Sequence, residues 1–243
     1  MTAIIRDTLS PDLRATLRAL KLGQMLDTLP DRLTLARQQK MTHADFLELV
    51  LADEVTRREA KSAGLRARAA GLDPGMRLDA WDASAAVRYD RQLWNELTSL
   101  RFLDGPHGAL ILGPVGVGKT HLACALGHIA VRRRRTVHMA PAAKLLKRLK
   151  AARLDNTLDA EMRRLAGVQL LILDDFALQP LDPTETADFY QLCVERHQHT
   201  STVVTSNRTA EKAHMFPRTC ARWRLKLRGF AVSRRPVSTW SAR

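Results

Sequence analysis

Cysteine is scarce and widely spaced. Cys124, Cys193 and Cys220 are an odd number with no Cys-x-x-Cys pair, which argues against a disulfide framework or a structural zinc site and for a reducing, cytoplasmic setting. Long apolar runs are also missing. No stretch approaches the roughly 18 uninterrupted apolar residues of a membrane span. The first 20 residues carry Arg6, Asp7, Asp12, Arg14 and Arg18, where a signal peptide needs an apolar block. Neither secretion nor a membrane partner is expected. The end of the chain lacks acid: residues 209–243 hold 9 Lys or Arg against 1 Asp or Glu, while 1–80 hold 13 against 11 and 81–208 hold 17 against 13. The last 35 residues therefore supply +8 of the formal +14.

What is present is a globular composition, 45% apolar and 26% charged over 243 residues, the size of one large domain or two small ones. The basic balance favours a polyanionic partner, because lysines and arginines that neutralise phosphates release condensed counterions. Plain solubility is the other reading of the same charge.

From Asp12 to about Ala70 the apolar positions follow a helical period, with Leu13, Leu17 and Leu20 and then Leu22, Leu26 and Leu29, the phase slipping near Gly23. Thr42 and Asp45 have N-cap and N3 spacing ahead of Phe46, Leu49 and Val50. Residues 1–70 thus read as a small all-helical domain that docks a partner or serves as a packing layer. Gly71-Leu72-Asp73-Pro74-Gly75 breaks the pattern, which sets a linker at 71–82. A helix is expected around Ala83–Leu100. Beyond it, the apolar runs Ala109–Leu112, Thr136–Ala140, Val168–Leu173 and Thr202–Thr205 alternate with helices, the pattern of an α/β fold with a mostly parallel sheet.

After the first run comes Gly113-Pro114-Val115-Gly116-Val117-Gly118-Lys119-Thr120, a GxxxxGK[ST] phosphate loop (P-loop) at every fixed position, between a strand and an amphipathic helix. Its glycines let backbone N–H groups converge on phosphate oxygens, and the helix that follows adds its positive end. Lys119 reaches the β- and γ-phosphates and Thr120 ligates magnesium. The candidate nucleotide-binding set is 113–120 together with the adjoining His121. Four apolar residues, Leu170 to Leu173, lead into Asp174 and Asp175. A carboxylate at the carboxyl end of a buried strand lands beside the phosphate loop. Asp174 then serves as the magnesium residue and Asp175 as the group that orients and polarises the attacking water. The fourth run ends in Thr205-Ser206-Asn207, where an amide can contact both the γ-phosphate and that water; asparagine also favours such turns for conformational reasons alone.

The runs at 113–131, 142–149, 170–178 and 202–208 together resemble the IstB-type ATPases of the AAA+ class, helpers of insertion-sequence transposition related to DnaC-type helicase loaders. The resemblance covers roughly residues 15–208. It implies an AAA+ core over 83–208 that uses ATP and Mg2+, assembles as a homo-oligomer, binds double-stranded DNA largely without sequence preference and cooperates with a transposase. It carries Gly113, Gly116, Gly118, Lys119 and Thr120 over as the phosphate loop, Asp174 and Asp175 as the magnesium and water residues, and Asn207 as the γ-phosphate sensor. Helicase loading and nucleotide binding without hydrolysis are the competing readings. A small-molecule kinase has little room for an acceptor pocket between Asp175 and Asn207, where a single helix is expected, capped at Asp182 and buried through Phe189, Tyr190, Cys193 and Val194.

Family members continue past the sensor with a helix, an arginine-bearing segment and a last strand. Here 209–243 is a basic tail without acid from Met215 onward, as a GC-rich gene gives when read out of frame. A DNA-binding tail with Trp223 and Trp240 as stacking groups is the alternative. The expectation is a sheet that lacks its last strand beside the phosphate-loop strand, weak order from Met215, and no assignable arginine finger, with Arg208, Arg218 and Arg222 as unranked candidates. Arg132–Arg135 suit a helix C-terminus, at about 0.3–1 kcal/mol per cation, or a DNA-facing cluster.

Overall fold

The computed structural model describes residues 9–81, 87–105, 107–176, 180–207 and 223–226. The chain divides into two compact units, Met1–Ala63 and Gly64–Arg243. The first is helical. In α1 (Pro11–Ala19) the Ser10 side chain accepts the Leu13 N–H and Pro11 opens the helix, a place where its missing N–H costs nothing. A 3-10 turn, Gly23–Asp27, absorbs the phase slip before α2 (Leu29–Gln38) and α3 (His43–Ala69). Thr42 caps α3 as its spacing predicts: the Asp45 N–H donates to Thr42 Oγ1 at 3.2 Å and the Thr42 N–H donates to Asp45 Oδ2 at 3.3 Å. Leu17, Met25, Leu29 and Val50 close a small core.

A buried carboxylate anchors this unit. Glu54 on α3 accepts from both Arg57 and Arg58 at 2.6–2.7 Å, and Arg58 also donates to the Lys21 carbonyl at 2.8 Å. The Arg57 hydrogen bond is the main reason that the Glu54 carboxyl falls to about 2, against burial, which acts the other way. A folded value below the unfolded one means that the stabilisation is complete above about pH 4.5 and is lost as pH falls toward 2. Glu54→Gln is expected to lower the melting temperature at pH 7, with the gap to the unaltered chain narrowing below pH 4.5; melts followed by circular dichroism check this.

The units divide inside α3, not at the Gly71 breaker expected as the boundary. The physical reason is that the last turns of α3 already belong to the second core. Ala67, Ala70 and Leu72 are buried, Arg66 Nη2 donates to the Val131 carbonyl, and the Met139 N–H donates to the Ala70 carbonyl at 2.7 Å.

In the second unit the helix expected over 83–100 begins only at Arg91. Asp90 caps α4 (Arg91–Thr98) by accepting the Leu93 N–H, and 82–86 lie outside the described residues. Then come α5 (Arg101–Asp104), β1 (Ala109–Leu112), α6 (Lys119–Arg132), β2 (Val137–Pro141), α7 (Ala142–Leu154), α8 (Leu158–Ala166), β3 (Leu170–Asp174), α9 (Pro183–Arg196), β4 (Ser201–Ser206) and β5 (Trp223–Lys226). The five strands pair in the order β2-β3-β4-β1-β5, all parallel. Every residue of β1 and β3 is buried, as strands covered on both faces require. Leu171, Leu173 and Val204 face Leu145, Leu149, Met162, Leu165, Phe189 and Leu192 of α7, α8 and α9. Helix α6 is buried nearly all round, more fully than the amphipathic helix expected after the phosphate loop.

Two further expectations are corrected. The capping box of α9 is present at Asp182 and Glu185, but the buried face is Phe189, Leu192, Cys193 and Arg196, with Tyr190 and Val194 exposed. Positions three and four apart share a helical face, and the face is set by Phe189. The sheet is also not left without a last strand: β5 pairs with β1, Ala109 opposite Trp223 and Leu112 opposite Lys226. Trp223-Arg224-Leu225-Lys226 alternates apolar and basic residues, a period of two that suits a strand. The order expected of the rest of the tail from Met215 lies outside the described residues, as do Arg208, Arg218, Arg222 and Trp240.

Within the Arg132–Arg135 run, Arg133 and Arg135 have structural work. Arg133 donates to the Ser99 carbonyl at the end of α4, and Arg135 pairs with Asp104 at 2.8 Å.

Candidate functional site

The carboxyl ends of β1, β4 and β3 lie side by side in that order, where open α/β sheets bind ligands. The phosphate loop leaves β1 and turns at Gly116 (φ 84°) and Gly118 (φ 87°), left-handed conformations that side chains disfavour. Gly118 is constrained a second time, because a Cβ there would fall 2.4 Å from the Trp81 ring. Helix α6 starts at once with Lys119, so its unpaired N–H groups open onto the loop.

Lys119 is 5% exposed, and its ammonium donates to the Pro114 carbonyl at 2.7 Å, within the loop itself. Burial pushes its pKa down, opposed by the charges of Asp175 and Asp174. This is a desolvated cation with neutral oxygen for a partner, a group suited to receive an anion.

Asp174 ends β3 and is 7% exposed. Its Oδ1 accepts from Thr120 Oγ1 at 3.0 Å and from Thr205 Oγ1 at 2.6 Å, which joins loop helix, β3 and β4 at one oxygen. Asp174 and Thr120, placed far apart in sequence as candidate magnesium residues, are in contact. Their oxygen donors fit a hard divalent cation.

Asp175 follows at φ 54°, a conformation that costs a non-glycine residue of order 1–3 kcal/mol and is held only by its surroundings. Its N–H donates to Thr205 Oγ1 at 2.9 Å. Burial, and then the charge of Asp174, push its carboxyl pKa up, with Lys119 acting the other way. Asn207 stands just past β4, between loop and carboxylates. Its Oδ1 is buried with no hydrogen-bond partner among the described residues, and an orphaned polar atom at the mouth of a cleft calls for a ligand or water.

Lys119, Thr120, Asp174, Asp175 and Asn207 thus come together as the sequence implies. His121 is turned toward the 77–81 segment: its Nε2 donates to the Arg77 carbonyl at 2.7 Å, and its ring meets Trp81 edge-on at 5.2 Å. His128 is also bound by that side of the fold, at 2.8 Å from the Asp73 carbonyl. Sequence reasoning missed Trp81 and Thr205. Nothing local marks Trp81, whereas the hydroxyl of Thr205, directly after the buried pair Val203 and Val204, was a signal. No group of three His, Cys, Asp or Glu side chains that could hold a metal ion occurs among the described residues, and no helix among them is long and apolar enough to cross a membrane.

The family described as IstB-like ATP binding protein matches residues 15–217, nine residues beyond the expected end of the resemblance at Arg208. The chain is 34% identical over 209 residues to an insertion-sequence ATP-binding protein of Mycobacterium tuberculosis, covering 85% of this chain and 83% of that one. It is 30% identical over 197 residues to the IS21 ATP-binding protein of Pseudomonas aeruginosa, covering 81% and 74%. Among solved structures it is similar to domain III of the Thermotoga maritima replication initiation protein DnaA, with a TM-score of 0.51 and 19% identity over 61% of this chain and 63% of that one, less than two thirds of its length. It is likewise similar to DnaI, with a TM-score of 0.50 and 20% identity over 64% and 89%. At such identities the structural likeness establishes the fold alone.

Proposed function

The chain belongs to the IstB-like ATP-binding proteins, and from that membership we propose that it is a magnesium-dependent ATPase that assists insertion-sequence transposition, acting as a homo-oligomer on double-stranded DNA together with a transposase. The observation that carries the hydrolytic part is the contact of Thr120, Asp174 and Thr205 at one oxygen, with Asp175 and the Asn207 amide, whose Oδ1 has no partner among the described residues, beside it. Loop amides and Lys119 bind the phosphates. Magnesium, held by Thr120 and Asp174, supplies charge neutralisation on the phosphates when bound. Asp175 orients the attacking water, and Asn207 donates to the γ-phosphate from its amide nitrogen. Curated relatives are insertion-sequence proteins, which favours transposition over helicase loading, toward which the likeness is in fold alone.

For DNA, the supporting feature is α7. Its sequence, AAKLLKRLKAARL, carries five basic residues and no acid. Three of them are paired, Arg148 with Glu161, Lys150 with Asp182 and Arg153 with Asp188, while exposed Lys144 and Lys147 have no ion-pair partner among the described residues. Duplex binding is expected to be ATP-assisted, tolerant of sequence and steeply salt-dependent. In a fluorescence-anisotropy titration, replacing Lys144 and Lys147 with glutamate is expected to lower affinity for all sequences alike and to reduce the slope against log salt by about 2. A site-specific footprint that survives high salt would contradict the reading, and ATP turnover that duplex DNA does not change would separate the two activities.

A further inference from the structure

Thr205 is fully buried, at 0% exposure, in a strand whose preceding core residues are Val203 and Val204. Burying a hydroxyl where valine would fill the same space is unfavourable unless its hydrogen bonds are made. Both are made here, and both are within the site. The hydroxyl donates to Asp174 Oδ1 at 2.6 Å and accepts the Asp175 N–H at 2.9 Å. The same end of β4 holds the next residue too. The Phe176 N–H donates to the Thr205 carbonyl at 2.8 Å, and Ser206 Oγ donates to the Phe176 carbonyl at 2.9 Å. Three consecutive residues leaving β3 are thus fastened to β4, with the hydroxyl at the two that carry carboxylates.

The arrangement has a geometric consequence. Asp175 stands in a left-handed conformation at φ 54°, and the Thr205 hydroxyl accepts the N–H of this turn. Asp174 Oδ1 is shared between Thr205 and Thr120 of the loop helix. Rotation of the Asp174 carboxylate is therefore restrained from β4 whether or not Thr120 turns its oxygen elsewhere. Asn207 follows two residues on, so a change at the hydroxyl is transmitted to both flanks of the cleft.

We propose that Thr205 is a positioning residue, whose hydroxyl sets the Asp174 carboxylate for a divalent cation and the Asp175 backbone for catalysis. This rests on the ATPase reading. The test compares Thr205→Val, which keeps shape and removes the hydroxyl, with Thr205→Ser, which keeps the hydroxyl. A fluorescent ATP analogue is titrated in chelator and then against magnesium, and ATP turnover is measured alongside.

In chelator, the valine variant is expected to bind the analogue within about twofold of the unaltered chain. Its magnesium midpoint is expected to rise about tenfold or more, and its kcat to fall about 10- to 100-fold with a smaller change in KM, the scale of a lost hydrogen bond to a charged group. Serine is expected to restore both to within about threefold. A role in stability alone predicts instead a lower melting temperature with the midpoint unmoved. That result, or serine as deficient as valine, overturns the proposal. Should the valine chain not fold, Thr205→Ala is read on the same midpoint. Unaltered protein that binds ATP without hydrolysing it removes the ATPase reading alone, and the magnesium midpoints still decide the role of Thr205.

Discussion

Lys119→Ala is expected to bind ATP roughly ten- to a hundredfold more weakly than the unaltered chain, with turnover reduced to background, because a buried cation bonded to an anion contributes about 1.5–3 kcal/mol and each 1.4 kcal/mol is tenfold. The ammonium is held ready for this. It is desolvated, and its partner is a carbonyl of its own loop, so an arriving phosphate replaces a neutral acceptor with a charged one. The charges of Asp175 and Asp174 oppose the lowering of its pKa by burial, and they also repel the phosphates. Removing the cation therefore leaves the loop amides facing the ligand with two carboxylates uncompensated nearby. A fluorescent-nucleotide titration gives the affinity, and a melting curve separates loss of binding from loss of the Pro114 bond. Nucleotide affinity equal to that of the unaltered chain would remove the loop from the site.

The phosphate loop was legible because its chemistry is local. Eight consecutive residues fix a turn, a helix start and a cation, and each has a spacing rule. The strands that lead to Asp174 and Asn207 were legible for a related reason, since a run such as Leu170–Leu173 has to be buried on both faces, and this places the residue at its end at the ligand edge of the sheet. What escaped depends on contacts between distant segments. Thr205 meets Asp174 across 31 residues, and Trp81, which precedes α4, α5 and β1 in the chain, meets Gly118; neither pairing leaves a periodic trace. The division of the chain escaped because Gly71-Leu72-Asp73-Pro74-Gly75 ends a helix, while packing, which decides the unit, had already changed sides at Arg66 and Ala67. β5 escaped because composition outweighed pattern: a stretch without acid was judged by its charge, although Trp223-Arg224-Leu225-Lys226 alternates as an edge strand does.

Asp175→Asn is the counterpart of the lysine variant, since it is expected to keep ATP bound while turnover falls by about 10²–10⁴, the usual share of a positioned acid or base. The backbone argues for retained binding. Position 175 is left-handed at φ 54°, and asparagine is among the few residues that adopt this conformation readily. The N–H that anchors the turn on Thr205 belongs to the main chain and survives the change. Removing this carboxylate also relieves its repulsion with Asp174, which contributes to its raised pKa, and its repulsion with the phosphates, so affinity in magnesium is expected to hold or to rise slightly. Turnover falls because the amide has no charge with which to polarise water. The two variants thus separate the site into a binding half at Lys119 and a reacting half at Asp175. If Asp175→Asn instead lost affinity and turnover in equal measure, with its magnesium midpoint displaced, Asp175 would be a cation ligand alongside Asp174 and the attacking water would have to be oriented from elsewhere, for which Asn207 is a candidate.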